Sequence, residues 1–548
     1  MNNGLLLGFV FGYFAILLLV AYITSRNSNN ESFFIGNKNS NWMLVAFGMI
    51  GTSLSGVTFV SVPGGVGAGA FNYFQIVIGY FIGYIVIAYV LLPLYYKMNV
   101  TSIYKFLENR FGMSAHKTGA SFFILSRTLG ATARLYLVVN ILQIFILDKI
   151  QMPWSSTIGI PFWLTAFVIL LMILLYTFEG GVKTIVYTDT LQTSGMLIGL
   201  VVSIIVIMKN LNLDLGGTID ALRSKNLISI FNFNVNEKGF FLKQIIGGAF
   251  ITIAMTGLDQ EMMQKNISVK KLGDSQKNMM SFGTVLIFVN LLFLLLGGLL
   301  YLFAASKPEL AGVKGDDLFP NIALAMDKNG VSFFPAAIGI IFIIALISAL
   351  FPSVDGAITA LTSCFCVDLA NINTRTDLNE QGKKRFRLTV HLTFAVIFFI
   401  LVLLFKWINE KNIIDFVLKI AGFTYGPLLG LFAFGILTKR KVINYWIPTV
   451  CIAALIITFY LDIYNDPQWY QDKFKLYNSP FIEGLKNISQ KSFGGYFEVA
   501  TIKNNGADLV LNKLKGGYKI GLELLLINGI FTFIGLIIIS KKSKQTLQ

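Results

Sequence analysis

Apolar runs of about 20 residues follow one another along the whole chain, each long enough to cross a bilayer as a helix. The pattern predicts spans at 4–25, 42–69, 71–96, 119–147, 161–178, 182–208, 241–263, 278–305, 332–368, 386–407, 411–437, 443–463 and 518–540. The chain therefore reads as an all-α polytopic membrane protein with about thirteen transmembrane helices. Two of the spans are poor helix formers. In 42–69 the run Gly51-Thr52-Ser53-Leu54-Ser55-Gly56 is followed by Pro63-Gly64-Gly65, and 241–263 carries Gly247-Gly248 and Thr256-Gly257. In hydrocarbon a broken helix is tolerated only where protein, water or a ligand takes up the freed backbone groups. Such breaks supply carbonyls and helix ends to ions and solutes at the bilayer midplane. The plainer reading is a glycine kink that lets helices pack closely.

The two weak helices lie about 200 residues apart, and each opens a block of about five spans. An odd number of spans inverts one block relative to the other, which predicts a five-plus-five inverted repeat with two discontinuous helices. The blocks are 42–209 and 241–437. Around them lie a first helix and loop (1–41), an external loop (210–240), a peripheral helix (438–463), an external insert (464–517) and a last helix with a cytoplasmic tail (518–548).

Composition supports this reading: of 548 residues 55% are hydrophobic and only 13% charged, with a mean hydropathy of +0.69. The net charge of +16 does not imply nucleic acid, because the basic residues sit in short loops where they set topology. Lys265, Lys270, Lys271 and Lys277 follow the second weak helix; Lys383 to Arg387, Lys439 to Lys441 and Lys541 to Lys544 form further clusters on alternate loops. These loops are assigned to the cytoplasm, which puts the C-terminus inside and the N-terminus and the insert outside. The first span is read as a retained helix, since the opening MNNG lacks the basic start of a signal peptide. Cys364, Cys366 and Cys451 lie in apolar runs and suggest no disulfide framework. His116 and His391 match no metal or nucleophile motif, so no enzyme is expected. The bias toward Asn, Lys, Ile and Phe fits a bacterial gene, and hence the inner membrane.

Three polar features interrupt the apolar spans. Asp189, in the segment GGVKTIVYTDTLQ, is a membrane-embedded carboxylate, a type that usually faces a cavity or a cation path; the other reading is a carboxylate near the interface that caps or pairs structurally. In ALFPSVDGA, Ser353 and Asp355 follow Pro352, which frees a carbonyl one turn earlier. Carbonyls, a hydroxyl and a carboxylate suit a small hard cation rather than a transition metal; the plainer reading is a proline kink with a locally bonded Ser. Finally, Arg127 and Arg134 are seven residues apart and share one helix face. Their carboxylate partner is either an anionic solute or one of Asp189, Asp259 and Asp355.

In their order these motifs resemble the sodium:solute symporter family, from about Ser32 to Leu437. ESFFIGNKN resembles the loop before the family's first core helix, and SLSGVTFVSVPGG its broken helix. GGVKTIVYTDTLQ is the most specific match. GLDQEMMQK resembles the second broken helix, and ALFPSVDGAITALTSCFCVDL, closing on Asp368, the eighth core helix. The resemblance implies Na+ as coupling ion, held at a main site by the carbonyls of Gly51, Leu54 and Ala349 and the hydroxyl of Ser353. The family usually has two adjacent hydroxyl residues where this chain has Pro352 and Ser353, so one ligand is missing. A second cation site is implied at Asp189 and Asp355. Solute contacts are expected from Ser53, Ser55, Thr58, Gln75, Arg127, Arg134, Thr256, Asp259, Gln260 and Tyr425.

The expected function is sodium-coupled symport of a small organic anion by alternating access, with the bilayer and the solute as partners and no nucleic acid. The alternatives are a sugar as solute, proton-coupled or uncoupled transport, and a transporter-like solute sensor. The insert at 464–517 is a candidate partner-binding module.

Overall fold

The computed structural model describes residues 3–25, 40–98, 102–150, 159–177, 181–324, 333–408, 413–474, 479–504 and 507–541. The segment ESFFIGNKN, Glu179-Gly180, Asp327 with Lys328 and the chain from residue 542 lie outside the described residues. Among the described residues, eight helices are long and apolar enough to cross a membrane, and eleven are if each of three bent pairs counts as one span. Phe162–Thr177 and Glu523–Ile538 are shorter apolar helices.

After α1 (Asn3–Ser25) comes the first broken helix, α2 (Trp42–Ser53) and α3 (Gly56–Gly69), bent by 57°. The Asn41 side chain caps α2 by accepting from Met43 N. The helix stops after Ser53, where Leu54 N makes the last bond, to Ile50 O, and Ser55 is extended. Carbonyls from Gly51 onward thus lie past the last α2 hydrogen bond. Pro63 does not interrupt the chain further: α3 runs through it.

α4 (Tyr73–Met98), the short α5 (Lys105–Phe111), α6 (Met113–Phe145), α7 (Phe162–Thr177) and α8 (Gly181–Asn210) follow. The second broken helix is α9 (Phe241–Gly257) with α10 (Gln260–Ile267), bent by 65°. The last turn of α9, Ile253–Gly257, is a wide π turn, and the Asp259 side chain caps α10 by accepting from Met262 N at 3.2 Å. Beyond α11 (Leu272–Ala305), α12 (Ala336–Cys364) and α13 (Glu380–Ile408) lies a third bend. The stretch that hydropathy presents as one span at 411–437 is α14 (Ile413–Thr424) and α15 (Gly426–Leu437), at 46° to each other. Both halves are apolar, so hydropathy runs through the joint, and only Gly426-Pro427 marks it.

Small residues set the close helix contacts around the first break. A Cβ on Gly48 would lie 3.2 Å from Asp189 Cβ, and one on Gly51 would collide with Thr193 Oγ1. These two glycines press α2 onto α8. Gly56 presses on Val138 of α6, whose Cγ2 a Cβ would meet at 2.6 Å, and lies beside the α12 backbone, with Leu346 O and Leu350 N each at 3.8 Å. The first break is therefore lodged between α8 and α12.

The insert forms helices and a hairpin of its own. After α16 (Ile447–Asn465) it forms α17 (Pro467–Phe474), α18 (Pro480–Phe493) and an antiparallel hairpin of β1 (Tyr496–Asn504) and β2 (Ala507–Lys515), in register from Tyr496↔Lys515 to Asn504↔Ala507. The chain then enters α19 (Glu523–Ile538). Ion pairs tie the base of the insert to the helices: Lys238–Asp466 at 3.0 Å, Lys519–Asp466 at 3.4 Å and Lys419–Asp462 at 2.7 Å. Lys419 belongs to α14, and its ammonium also lies 3.8 Å from the centre of the Trp469 ring.

Candidate functional site

A cavity of ≈ 100 Å³ opens beside the first break. It gathers Ser53, Ser55, Thr58, Arg127, Arg134 and Thr256, six of the ten solute contacts that the sequence suggests. Tyr425 lines a small annex next to it, together with both arginines. Tyr73, Tyr80, Tyr84, Thr252 and Asn290 add polar lining that sequence reasoning missed, and Met255, Ile414, Val417 and Leu418 form an apolar wall. The tyrosines were legible only as part of an apolar, aromatic span. Nothing in their spacing separates a ring that faces a solute from one that faces lipid.

The remaining three predicted contacts are engaged elsewhere. Gln75 is buried; its amide donates to Asn72 O at 2.9 Å and Gly239 O at 3.3 Å, and it accepts from Asn232 N at 3.3 Å. It pins the 232–239 loop to the start of α4. Gln260 accepts from Ile103 N at 3.0 Å. Asp259 accepts from Tyr425 OH at 2.9 Å as well as capping α10. The freed carbonyls of the second break are also satisfied by protein. Tyr95 OH donates to Gly257 O and Tyr104 OH to Leu258 O, each at 2.9 Å. Of the two breaks, the first borders the cavity along Thr52 to Ser55 and the second is closed over by tyrosines.

The two arginines differ in their partners. Arg127 donates to Glu261 Oε2, and its Nε lies 3.9 Å from Asp259 Oδ2. Arg134, one face-repeat further along α6, lines the cavity and makes no ion pair or hydrogen bond among the described residues. Glu261 had not been singled out. It sits in the first turn of α10, and only the bend before α10 turns it toward α6.

For the main sodium site, the structure brings the break of α2/α3 against α12, the two elements that carry Gly51, Leu54, Ala349 and Ser353. Ser353 Oγ donates to Leu350 O at 2.8 Å, which leaves its lone pairs available to a cation. Three carbonyls and one hydroxyl would make a hard-oxygen donor set of the kind that suits Na+. Pro352 continues the helix and contributes no side-chain oxygen.

The second cation site departs from expectation. Asp189 Oδ2 already has a cation: the Lys265 ammonium, at 2.7 Å. Lys265 also donates to Thr52 Oγ1 at 2.6 Å and to Glu261 Oε1 at 3.2 Å. Asp355 accepts from Tyr176 OH at 2.7 Å, and Gln192 donates to the same phenol oxygen at 3.4 Å. By sequence Lys265 had counted among the basic residues of a cytoplasmic loop. It is buried, with 3% exposure, because the 65° turn at Leu258-Asp259 directs α10 back into the helix bundle.

A second buried polar cluster lies at the other end of α6. His116 Nε2 is 2.8 Å from Asp368 Oδ1 and its Nδ1 is 2.7 Å from Glu108 Oε2, while Ser102 Oγ donates to Asp368 Oδ2 at 2.8 Å. Asp368, the closing residue of the α12 motif, thus anchors the start of α6 and the residues before α5.

Broken helices packed around a cavity, with the first break set against α12, define a secondary transporter of the inverted-repeat class. The chain belongs to the sodium:solute symporter family, whose model matches residues 33–444. It is similar to the sodium/sialic acid symporter NanT of Aliivibrio fischeri, with 23% identity over 78% of this chain and 82% of the relative. It is also similar to the sodium-coupled monocarboxylate transporter 1 of Mus musculus, with 24% identity over 77% of this chain and 67% of the relative. Among solved structures, a substrate-bound, outward-open Na+-coupled sialic acid symporter matches with a TM-score of 0.73 and 17% identity, covering 98% of this chain and 99% of that one. The protein is a multi-pass membrane transporter that couples solute movement to Na+.

Proposed function

We propose that this symporter carries a small organic anion with sodium into a bacterial cell, and that Arg134 receives the anion's carboxylate. The observation behind this reading is the division of labour in α6. Arg127 is paired with Glu261 and Asp259, whereas Arg134 borders the cavity and makes no ion pair among the described residues. A guanidinium in a membrane interior wants a planar anionic partner, and the solute is the partner that remains. The names of the relatives agree in kind: sialic acid and monocarboxylates are both carboxylic acids.

Loop charge supports an N-terminus outside and a C-terminus inside. In that orientation Tyr73 and Ile414 stand at the outer ends of their helices, so the cavity belongs to the outer half of the protein. Sodium at the main site would bridge α2/α3 to α12 and favour the conformation that accepts solute; that differential affinity is the coupling.

The test is ligand-induced thermal stabilisation of the purified protein. A panel of sugars, amino acids, sialic acids and monocarboxylates is screened in sodium and in potassium. A sodium-dependent shift with an acid that disappears in Arg134→Ala is the expected result. A sugar shift indifferent to Arg134→Ala would overturn the anion reading.

A further inference from the structure

We infer that Lys265 is a built-in cation occupying the second cation site, so that this symporter binds one sodium ion rather than two. The inference rests on the sodium-coupled reading above and concerns how many ions that coupling uses.

An ammonium group has three donors and no acceptor. The three oxygens around Lys265 Nζ, from Thr52, Asp189 and Glu261 at 2.6, 2.7 and 3.2 Å, match that number. They come from the first break, from α8 and from α10. Each is the kind of hard oxygen that would otherwise ligate a small monovalent cation. All four side chains are buried. Asp355 is close enough to interact electrostatically with both Asp189 and Lys265. The two carboxylates that the sequence marks as a sodium site therefore already face a positive charge supplied by the chain.

The arrangement is built rather than incidental. Gly356, next to Asp355, leaves room for the Glu261 carboxylate, and a Cβ there would collide with it. Glu261 is in turn held between Arg127 and Lys265. Gly48 brings α2 within contact of Asp189 and so sets Thr52 beside it. A sodium ion placed among Thr52, Asp189 and Glu261 would have to displace the ammonium, and a buried lysine has no solvent to retreat to. The residues present do not fit a second sodium.

A fixed charge cannot move down the sodium gradient or the membrane potential. Each transported charge is worth roughly a fiftyfold accumulation of solute per 100 mV. Using one sodium instead of two forgoes that factor, and it leaves a symporter of a monovalent anion electrically neutral overall.

Equilibrium binding of radioactive sodium to the purified full chain tests this without knowledge of the solute. The wild-type protein is expected to bind one sodium per chain. Lys265→Ala opens the oxygen cage, in which the second oxygen of Asp189 has no hydrogen-bond partner among the described residues. That variant is expected to bind two, and sodium or methylammonium should raise its melting temperature more than that of the wild type. Lys265→Arg, which keeps the charge, should stay at one. Two sodium ions on the wild-type chain would overturn the inference even if Lys265→Ala does not fold. So would a folded Lys265→Ala protein that gains none. In that last case, a wild type that still binds one sodium leaves the coupling itself intact, whereas a wild type that binds none removes both.

Discussion

Arg127 is bound to Glu261, a residue 134 positions further along the chain. That bond separates two arginines that the sequence presents as equivalent. Arg127→Ala leaves Glu261 and Asp259 as buried carboxylates short of a partner, and breaking such a pair costs about 3–5 kcal/mol. A clear fall in melting temperature is expected. Arg134→Ala should change the melting temperature little and abolish stabilisation by the anionic solute. Thermal scans of both variants with and without solute distinguish them; the opposite assignment would place the solute at Arg127.

Ser353 is the one side-chain oxygen expected at the main sodium site. Ser353→Ala should raise the sodium concentration for half-maximal thermal stabilisation about tenfold, the scale of one polar contact of about 1.4 kcal/mol. Pro352→Ser restores the hydroxyl pair usual in the family and should lower that concentration. Unchanged sodium dependence in both variants would mean that the ion binds elsewhere.

Gly51 presses against Thr193, and its N–H donates to Thr193 Oγ1 at 3.1 Å. A methyl group at Gly51 overfills this contact, a change that typically costs about 1–3 kcal/mol. Gly51→Ala should therefore lower both stability and uptake. Gly51→Ala with Thr193→Ala should recover much of the loss, because the nearest remaining atom is the Thr193 Cβ at 3.4 Å. Absence of recovery would indicate that Gly51 is needed for its backbone rather than for space.

Gln75 is a framework residue despite its position on a cavity helix. Gln75→Ala strands the carbonyl of Gly239 and the N–H of Asn232, at a cost of about 1–3 kcal/mol. Melting temperature should fall while the affinity for solute, measured in the folded fraction, stays the same. A selective loss of solute affinity would restore Gln75 to the pocket.

The insert should stay docked over a wide pH range. Burial raises the Asp466 carboxyl, but the Lys238 and Lys519 charges outweigh it and hold the group below its ordinary value. The lowered pKa belongs to the folded protein. Its contribution to stability is therefore complete above the unfolded value of about 3.9 and lost as pH falls through the folded one. Limited proteolysis of residues 467–517 should be slow at pH 7 and pH 5 and faster only in stronger acid. Lys238→Ala should speed it at neutral pH.

Hydropathy, loop charge and motif order carried the class of this protein. Long apolar runs must be helices in a bilayer, because no other open structure satisfies its own backbone there. The poor helix formers at Gly51–Gly56 and at Thr256–Gly257 were visible for the same local reason. Residue types that suit an anion and a hard cation were visible too: Arg127 and Arg134, Ser353, and Asp189 with Asp355. What local pattern could not show is which charges meet. Glu261 and Lys265 look like the polar end of a helix running into a cytoplasmic loop. A turn of 65° sends them into the bundle instead, where one neutralises Arg127 and the other fills the place beside Asp189. The joint at Gly426-Pro427 escaped notice because a bend between two apolar halves leaves no trace in hydropathy. Partners in a low-dielectric interior are assigned by three-dimensional proximity, and proximity is set by bends and by small-residue contacts such as Gly48, Gly51 and Gly356. Tertiary structure alone therefore decided which arginine is paired with carboxylates and that Asp189 lies against Lys265.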